Sequence, residues 1–77
     1  MNNRRRDALR TVVKKLEECY NVVDSISEDE QDSLENTPEN LKESDRYYRM
    51  EEAADNLEEA ADQIEYAIEH IEMACGG

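Results

Sequence analysis

The chain has 77 residues and a formal net charge of −12, with 21 acidic residues, nine basic residues and neither Phe nor Trp. A chain of this length forms one domain at most, here residues 1–77, and its core rarely supplies more than ~3–5 kcal/mol of stability. It contains one His, and its two Gly are the last two residues, which leaves neither a catalytic triad nor a phosphate-binding loop. We therefore expect a non-enzymatic protein that is stabilised by self-association.

Charge is distributed unevenly along the chain. Residues 1–15 have a net charge of +5, residues 16–41 of −9, residues 42–49 of +1 and residues 50–77 of −9. No stretch approaches transmembrane length, and charged residues interrupt any apolar region behind the first arginines, so we expect no secretion signal. These patterns predict an intracellular, soluble protein with reduced cysteines and no membrane partner.

The first predicted helix runs from about residue 4 to about residue 35, with Asn2 or Asn3 as its N-cap. Its apolar side chains recur every three or four residues, which places them on one core-facing stripe. This stripe consists of Leu9, Val12, Leu16, Cys19, Val23 and Ile26, and it is widened by Val13 and Tyr20. Polar residues replace the stripe beyond Ile26. Because Ser27–Glu30 has the form of a capping box, the helix either breaks there or continues as a polar rod to Glu35.

A connector follows over about residues 36–44. Pro38 disfavours helix at the residue before it and suits the first turn of a short new helix. Leu34 and Leu41 are the apolar residues next to this connector, and we expect them to close this end of the core.

The second predicted helix covers about residues 45–75, with Ser44 or Asp45 as its N-cap, and it repeats one heptad from Glu51 onwards. Apolar residues fall at every third or fourth position and form a self-association seam. The seam consists of Met50, Ala54, Leu57, Ala61, Ile64, Ile68 and Ile71. Alanines beside the seam let a neighbouring helix approach closely.

Two long helices with a short connector predict an all-α fold, an antiparallel two-helix hairpin. The charges favour the same topology, because the basic Arg4–Arg6 at one N-terminus would lie beside Glu65–Glu72 at the C-terminus of the other helix. One hairpin leaves part of both apolar stripes exposed to water. We therefore expect two hairpins to pair as a homodimer into a four-helix bundle.

The sequence lacks the patterns of known helical metal sites. A di-iron bundle requires two E-x-x-H motifs, whereas Ala67 occupies the Glu position before His70, the only His. The acidic run Glu28–Glu35 has no central Gly of the kind that a calcium-binding loop requires. We expect neither a bound metal nor a cofactor.

Both cysteines fall on predicted core faces. In the hairpin their sulfur atoms would lie more than ~15 Å apart, which is beyond the reach of a disulfide. We interpret Cys19 and Cys75 as small buried apolar residues. An intermolecular disulfide through Cys75 is the alternative.

The charge distribution suggests two opposite hypotheses, that the chain binds nucleic acid or that it imitates it. The basic residues between Arg4 and Lys15 could bind it, but pairing with Glu65–Glu72 inside the hairpin is the favoured interpretation, so we expect no direct nucleic-acid binding. Alternatively, the chain imitates nucleic acid, because its second helix has about one acid per ~5 Å while duplex DNA has one charge per ~1.7 Å. The acidic face would then include Glu52, Glu58 and Glu59.

Some outer positions of the second helix depart from the acidic pattern. Tyr66, His70 and Met73 are separated by four and three residues, so they form one patch opposite the seam. Exposed aromatic and Met residues are enriched where protein partners bind. Tyr47 and Tyr48 cannot both face one core, and they are candidates for the same role. Burial of either patch inside the bundle is the alternative.

The segment from Leu16 to Glu72 resembles a group of short acidic helical proteins that are encoded by phages, prophages and mobile elements of Gram-positive bacteria. The resemblance is most specific in N-x-P-E-N-L, residues Asn36–Leu41, followed by S-x-R, residues Ser44–Arg46. It implies a mobile-element protein in the cytoplasm of a bacterial host, where small acidic proteins often bind and inhibit host proteins, including defence factors. It assigns no role to individual residues.

These patterns leave three functions open. The first is a self-associating interaction protein that binds, and thereby inhibits, a host protein such as a defence factor. The second is a nucleic-acid mimic that occupies a basic groove of a nucleic-acid enzyme. The third is a structural oligomer or regulator without a separate target.

Overall fold

The computed structural model describes residues 1–76, which form two long α-helices joined by a short connector. Helix α1 covers Asn3–Glu35, a 3₁₀ helix covers Glu39–Leu41, and helix α2 covers Asp45–Gly76. The two long helices lie side by side in opposite directions, and the molecule measures 59 × 14 × 14 Å. The predicted all-α, two-helix hairpin is therefore confirmed. Of the helices within residues 1–76, none has an apolar stretch long enough to cross a membrane.

The beginning of α1 is set by Asn2, one of the two predicted caps. Its side-chain oxygen accepts a hydrogen bond of 2.8 Å from the backbone N–H of Arg5, which satisfies one of the free donors of the first turn. The helix does not break at Ser27, whose side chain is buried between the helices. It continues to Glu35, as the second sequence alternative predicts.

The connector ends α1 and caps α2 through local hydrogen bonds. The Ser44 hydroxyl accepts a hydrogen bond of 3.2 Å from the backbone N–H of Tyr47, so Ser44 and not Asp45 is the side-chain cap of α2. Leu41 lies in the 3₁₀ helix and is 49% exposed. The prediction that Leu41 closes the core is therefore wrong, because the half-buried Tyr47 occupies this end of the hairpin.

The core between the helices is thin and consists largely of small side chains. The fully buried residues are Val13 and Ser27 on α1 and Ala54 and Ala61 on α2. Half-buried residues extend this core along both helices: Leu9, Leu16, Tyr20, Val23 and Leu34 on α1, and Met50, Leu57, Ile64, Ile68, Ile71 and Cys75 on α2. Small residues at the contact let two helix axes approach closely. The seven residues of the predicted seam are thus all buried or half-buried within the single hairpin.

In the structure, α1 is rotated about its axis relative to the orientation that the sequence predicts. Val12 and Ile26 were expected in the core but are 41% and 46% exposed, and Cys19 is exposed as well. The reason is geometric, because one neighbouring helix covers only part of a stripe that occupies three positions in seven. The prediction that Cys19 is buried is wrong for the single hairpin, whereas Cys75 is half-buried.

Electrostatic contacts between the helix ends also differ from the expectation. Within residues 1–76 the ion pairs are local, Arg10 with Asp7 and Lys42 with Glu39, each at 3.2 Å. The predicted pairing of the N-terminal arginines with Glu65–Glu72 does not form. Instead the Arg6 guanidinium donates a hydrogen bond of 3.1 Å to the carbonyl oxygen of Cys75. A cation thus contacts one carbonyl group of the last turn of α2, where the helix dipole is negative.

Candidate functional site

One side of the hairpin is lined by carboxylates, and a hydrogen bond between the helices identifies it. Gln31 of α1 donates from its side-chain nitrogen to a carboxylate oxygen of Glu58 of α2 at 3.1 Å. Each of these residues comes four positions after a core residue. Because such positions lie on one side of an antiparallel helix pair, the other members of this side are Glu17 and Asp24 on α1 and Glu51, Glu65 and Glu72 on α2. We call this the acidic side.

The local field of the acidic side affects Tyr20, which lies half-buried at its edge. The negative charge of Asp24 raises the pKa of the Tyr20 hydroxyl above its ordinary value, and the charge of Glu65 on α2 adds to this effect. Carboxylates of both helices therefore act on the same group. At the level of Tyr20 the acidic side therefore opposes the formation of a further anion.

The carboxylates of α2 form a longer row than the sequence analysis identified. Seven exposed acids follow one another at steps of three and four residues: Glu51, Asp55, Glu58, Asp62, Glu65, Glu69 and Glu72. By the rise of an α-helix they lie ~5 Å apart along the axis. The predicted acidic face contributes Glu58 to this row, while Glu52 and Glu59 lie exposed beside it. The spacing of the acids alone would have revealed the row.

The opposite side of the hairpin is apolar. Its members each come directly before a core residue, which places them away from the acidic side. They are Val12, Cys19 and Ile26 on α1, and Ala53, Ala60, Ala67 and Ala74 on α2. Val22, an exposed residue of α1, borders this set. We call it the apolar side, and it combines large residues from one helix with small residues from the other.

A third surface, the outer patch, consists of Tyr66, His70 and Met73 on α2. Tyr66 and Met73 are 61% and 63% exposed, and they are the most exposed large apolar residues of the described chain. The rings of Tyr66 and His70 lie 5.1 Å apart between centroids and are tilted by 41°. The structure therefore brings together the three residues that the sequence predicted as a patch, and it leaves them uncovered.

The two remaining candidate tyrosines lie elsewhere and differ in burial. Tyr47 is half-buried at the connector end, where it lines a depression with Pro38, Leu41 and Met50. Tyr48 is exposed, and its ring lies 6.3 Å from that of Tyr47 in an edge-on arrangement. By helix rise, Tyr48 is ~27 Å along α2 from the outer patch. Tyr47 is thus part of the core, and the five predicted residues do not form one site.

The described residues provide no geometry for metal chemistry. Among residues 1–76, no group of three or more His, Cys, Asp or Glu side chains is placed to hold a metal ion. Cys19 and Cys75 are both free thiols. The three surfaces are candidates for contact with a partner. The acidic side would act through charge, and the apolar side and the outer patch through apolar area.

Comparisons with known proteins add no relative to this description. No protein-family model, curated protein or solved structure matches the chain. Function is therefore inferred from the acidic side, the apolar side and the outer patch.

Proposed function

We propose that the chain is a non-catalytic interaction protein that binds another protein through the outer patch. The observation that supports this proposal best is the exposure of Tyr66 and Met73 on the side of α2 that faces away from α1. The hairpin gains no core contact from these two side chains. Aromatic residues and Met are enriched at the centres of protein interfaces, where charged residues are depleted.

The surroundings of the outer patch indicate the chemistry of the partner. Tyr66 lies in a depression with Glu59, Asp62 and Glu65, and Met73 lies in another with Glu69 and Glu72. A complementary surface would have an apolar pocket for the ring and the thioether, bordered by Lys or Arg residues. Charge of opposite sign around such a pocket would increase the association rate and the specificity.

The resemblance to phage and mobile-element proteins gives the proposal its biological setting. The partner is then a protein of the bacterial host, such as a defence factor, encountered in the host cytoplasm. Binding would inhibit the partner by covering a functional basic surface. The chain itself requires no catalytic group for this role.

The experiment begins with affinity capture from lysate of the bacterial host and identification of the captured protein. The purified partner is then titrated with the wild-type chain and with Tyr66→Ala, Met73→Ala and the control Ser25→Ala, which lies on the outer face of α1. We expect each patch substitution to weaken binding about tenfold or more, as for interface residues that contribute over ~1.4 kcal/mol. Equal affinity of the patch variants and the control would contradict the proposal.

The second candidate function, a polyanion mimic, is favoured by the position of the charge. Residues 20–60, which form the connector half of the hairpin, have 14 acidic and three basic residues, whereas the remaining residues have a net charge of only −1. The row of acids on α2 is sparser than one DNA strand, which has a phosphate per ~3.4 Å of axis. Mimicry therefore requires a groove that recognises charge rather than phosphate spacing.

The two functions differ in their response to salt and substitution. A mimic would lose affinity steeply with salt and with Glu52→Gln, Glu58→Gln and Glu59→Gln together, and it would compete with DNA or RNA for the partner. Binding through the outer patch predicts a shallower salt dependence and a larger effect of Tyr66→Ala. Displacement of a bound oligonucleotide by the chain, without an effect of Tyr66→Ala, would favour the mimic.

A further inference from the structure

We propose that the apolar side is a self-association surface on which two copies of the chain pair in antiparallel orientation, with α1 of one copy against α1 of the other. The apolar side is separate from the outer patch, and pairing through it requires no host partner. Val12 and Ile26, the large α1 residues of the apolar side, are exposed although the hairpin is complete, and Cys19 between them is exposed as well. The adjacent core residues Leu9, Leu16 and Val23 are only half-buried, which extends the uncovered apolar area.

The size of this surface fits a stable dimer. A side of the hairpin measures 59 Å by 14 Å between its outermost Cα atoms, so its projected area is about 830 Å². Specific protein interfaces bury about 800 Å² on each partner. The apolar residues lie near the middle of the side, and the charged helix ends would form the polar rim that such interfaces have.

Charge selects the orientation of the second copy. Two hairpins stacked on their apolar sides have their connector ends either together or at opposite ends of the bundle. The connector half, residues 20–60, has a net charge of −11. A parallel dimer would place two such halves side by side, whereas an antiparallel dimer separates them and places the basic residues 4–6 near the acidic residues 28–35 of the second copy.

The sequence of α1 is consistent with a twofold axis through Cys19. Val12 and Ile26 lie seven residues before and after it, so each would contact the other across the axis in an antiparallel pair of α1 helices. At the same register Arg5 lies level with Ser33 of the second copy and within one turn of Asp29 and Asp32. On α2, Ala67 and Ala74 of one copy would lie within about one turn of Ala74 and Ala67 of the other, which allows the close helix spacing of ~8 Å. The outer patch and the acidic side remain exposed.

The first test measures mass and folding together. Light scattering of the full chain at high micromolar concentration, under reducing conditions, is expected to give twice the 9.0 kDa of the single chain. Ile26→Glu is expected to reduce it to one copy while keeping the helical circular dichroism, because this side chain is exposed in the single hairpin. Ser25→Glu is the matched control and should remain dimeric. A single-copy mass for the wild type, or a doubled mass for a folded Ile26→Glu chain, would overturn the proposal.

The second test examines orientation by disulfide formation. Oxidation with diamide, which accepts two electrons and two protons from a pair of thiols, is applied to the native Cys75→Ser and Cys19→Ser chains. The chain that retains Cys19 is expected to form a covalent dimer, because its two thiols lie at the axis. Cys75 lies level with Val13 of its own chain, so the two Cys75 thiols would lie ~18 Å apart by helix rise and should not react with each other. A covalent dimer formed through Cys75 rather than Cys19 would overturn the antiparallel register, and Tyr66→Ala should change neither outcome.

Discussion

Gln31 and Glu58 connect the two helices by a side-chain hydrogen bond of 3.1 Å, and this contact defines which side of the hairpin is acidic. It joins an uncharged residue of α1 to one of the seven carboxylates along α2. A carboxylate at position 31 would instead face a carboxylate. The absence of charge at Gln31 is therefore a condition for close contact at this level of the acidic side.

Substitutions of Gln31 by an acidic and by a basic residue should change the free energy of unfolding in opposite directions. Gln31→Glu should lower the free energy of unfolding by about 0.5–1 kcal/mol, because it replaces the hydrogen bond with repulsion from Glu58. Gln31→Lys should raise it by up to about 0.5 kcal/mol. Urea denaturation followed by circular dichroism measures both changes. Equal effects of the two substitutions would show that the contact has no electrostatic role.

The small core residues make the helix spacing sensitive to side-chain volume. Ala54 is 1% exposed, so the larger side chain of Ala54→Leu should force the helices apart and cost about 1–3 kcal/mol of unfolding free energy. Asn56→Leu, at an exposed position of the same helix, is the matched control and should cost little. A stable Ala54→Leu chain with the unfolding midpoint of the wild type would contradict the close approach of the helices.

The two asparagines at the start of α1 should differ in their contribution to stability. Asn2→Ala removes the acceptor for the Arg5 N–H and should cost about 1 kcal/mol, as typical N-cap substitutions do. Asn3→Ala lies within the helix and should be close to neutral. Thermal unfolding of the two variants distinguishes them, and an equal loss of stability would show that Asn2 is not the cap.

Tyr20 should ionise at higher pH than an ordinary tyrosine. The charge of Asp24 is the largest cause of its raised pKa, so Asp24→Asn should move this pKa back towards about 10. Below the unfolded-state pKa of about 10, the neutral Tyr20 makes its full contribution to the stability of the fold. This contribution is lost as the pH rises through the higher pKa of the folded state. NMR titration of the Tyr20 ring measures the pKa directly. An unchanged pKa in Asp24→Asn would contradict the assigned cause.

Added salt should stabilise the hairpin rather than weaken it. The ion pairs within residues 1–76 are two local contacts, while the net charge of −12 causes repulsion throughout the connector half. Screening therefore removes more repulsion than attraction. Thermal melts in increasing NaCl should show a rising midpoint, by about 4–8 °C for each kcal/mol gained. A falling midpoint would indicate that attractive pairs dominate.

The local parts of the fold could be predicted because their signals are local. The cap at Asn2 or Asn3, the interruption near Pro38 and the heptads after Glu51 each depend on a few neighbouring residues. The clustering of Tyr66 and Met73 also follows directly from helix periodicity. These features needed no knowledge of how the helices contact each other.

The rotation of α1 could not be predicted in the same way. Its apolar stripe occupies three positions in seven and is wider than one neighbouring helix covers, so the pattern does not decide between an orientation with Val12 and Ile26 inward and one with Val13 and Ser27 inward. The structure adopts the second, in which Val13 and Ser27 on α1 and Ala54 and Ala61 on α2 are buried. The exposure of Leu41 depends on the same tertiary arrangement. So does the absence, within residues 1–76, of ion pairs between the helix ends.

The most direct test of the proposed function maps the partner onto the chain by NMR. Backbone amide signals of the ¹⁵N-labelled chain are recorded while the purified partner is added. The proposal predicts that the earliest and largest shifts occur at Tyr66, His70 and Met73, with smaller shifts at the surrounding carboxylates. Shifts concentrated around Glu52, Glu58 and Glu59, with the outer patch unchanged, would contradict it.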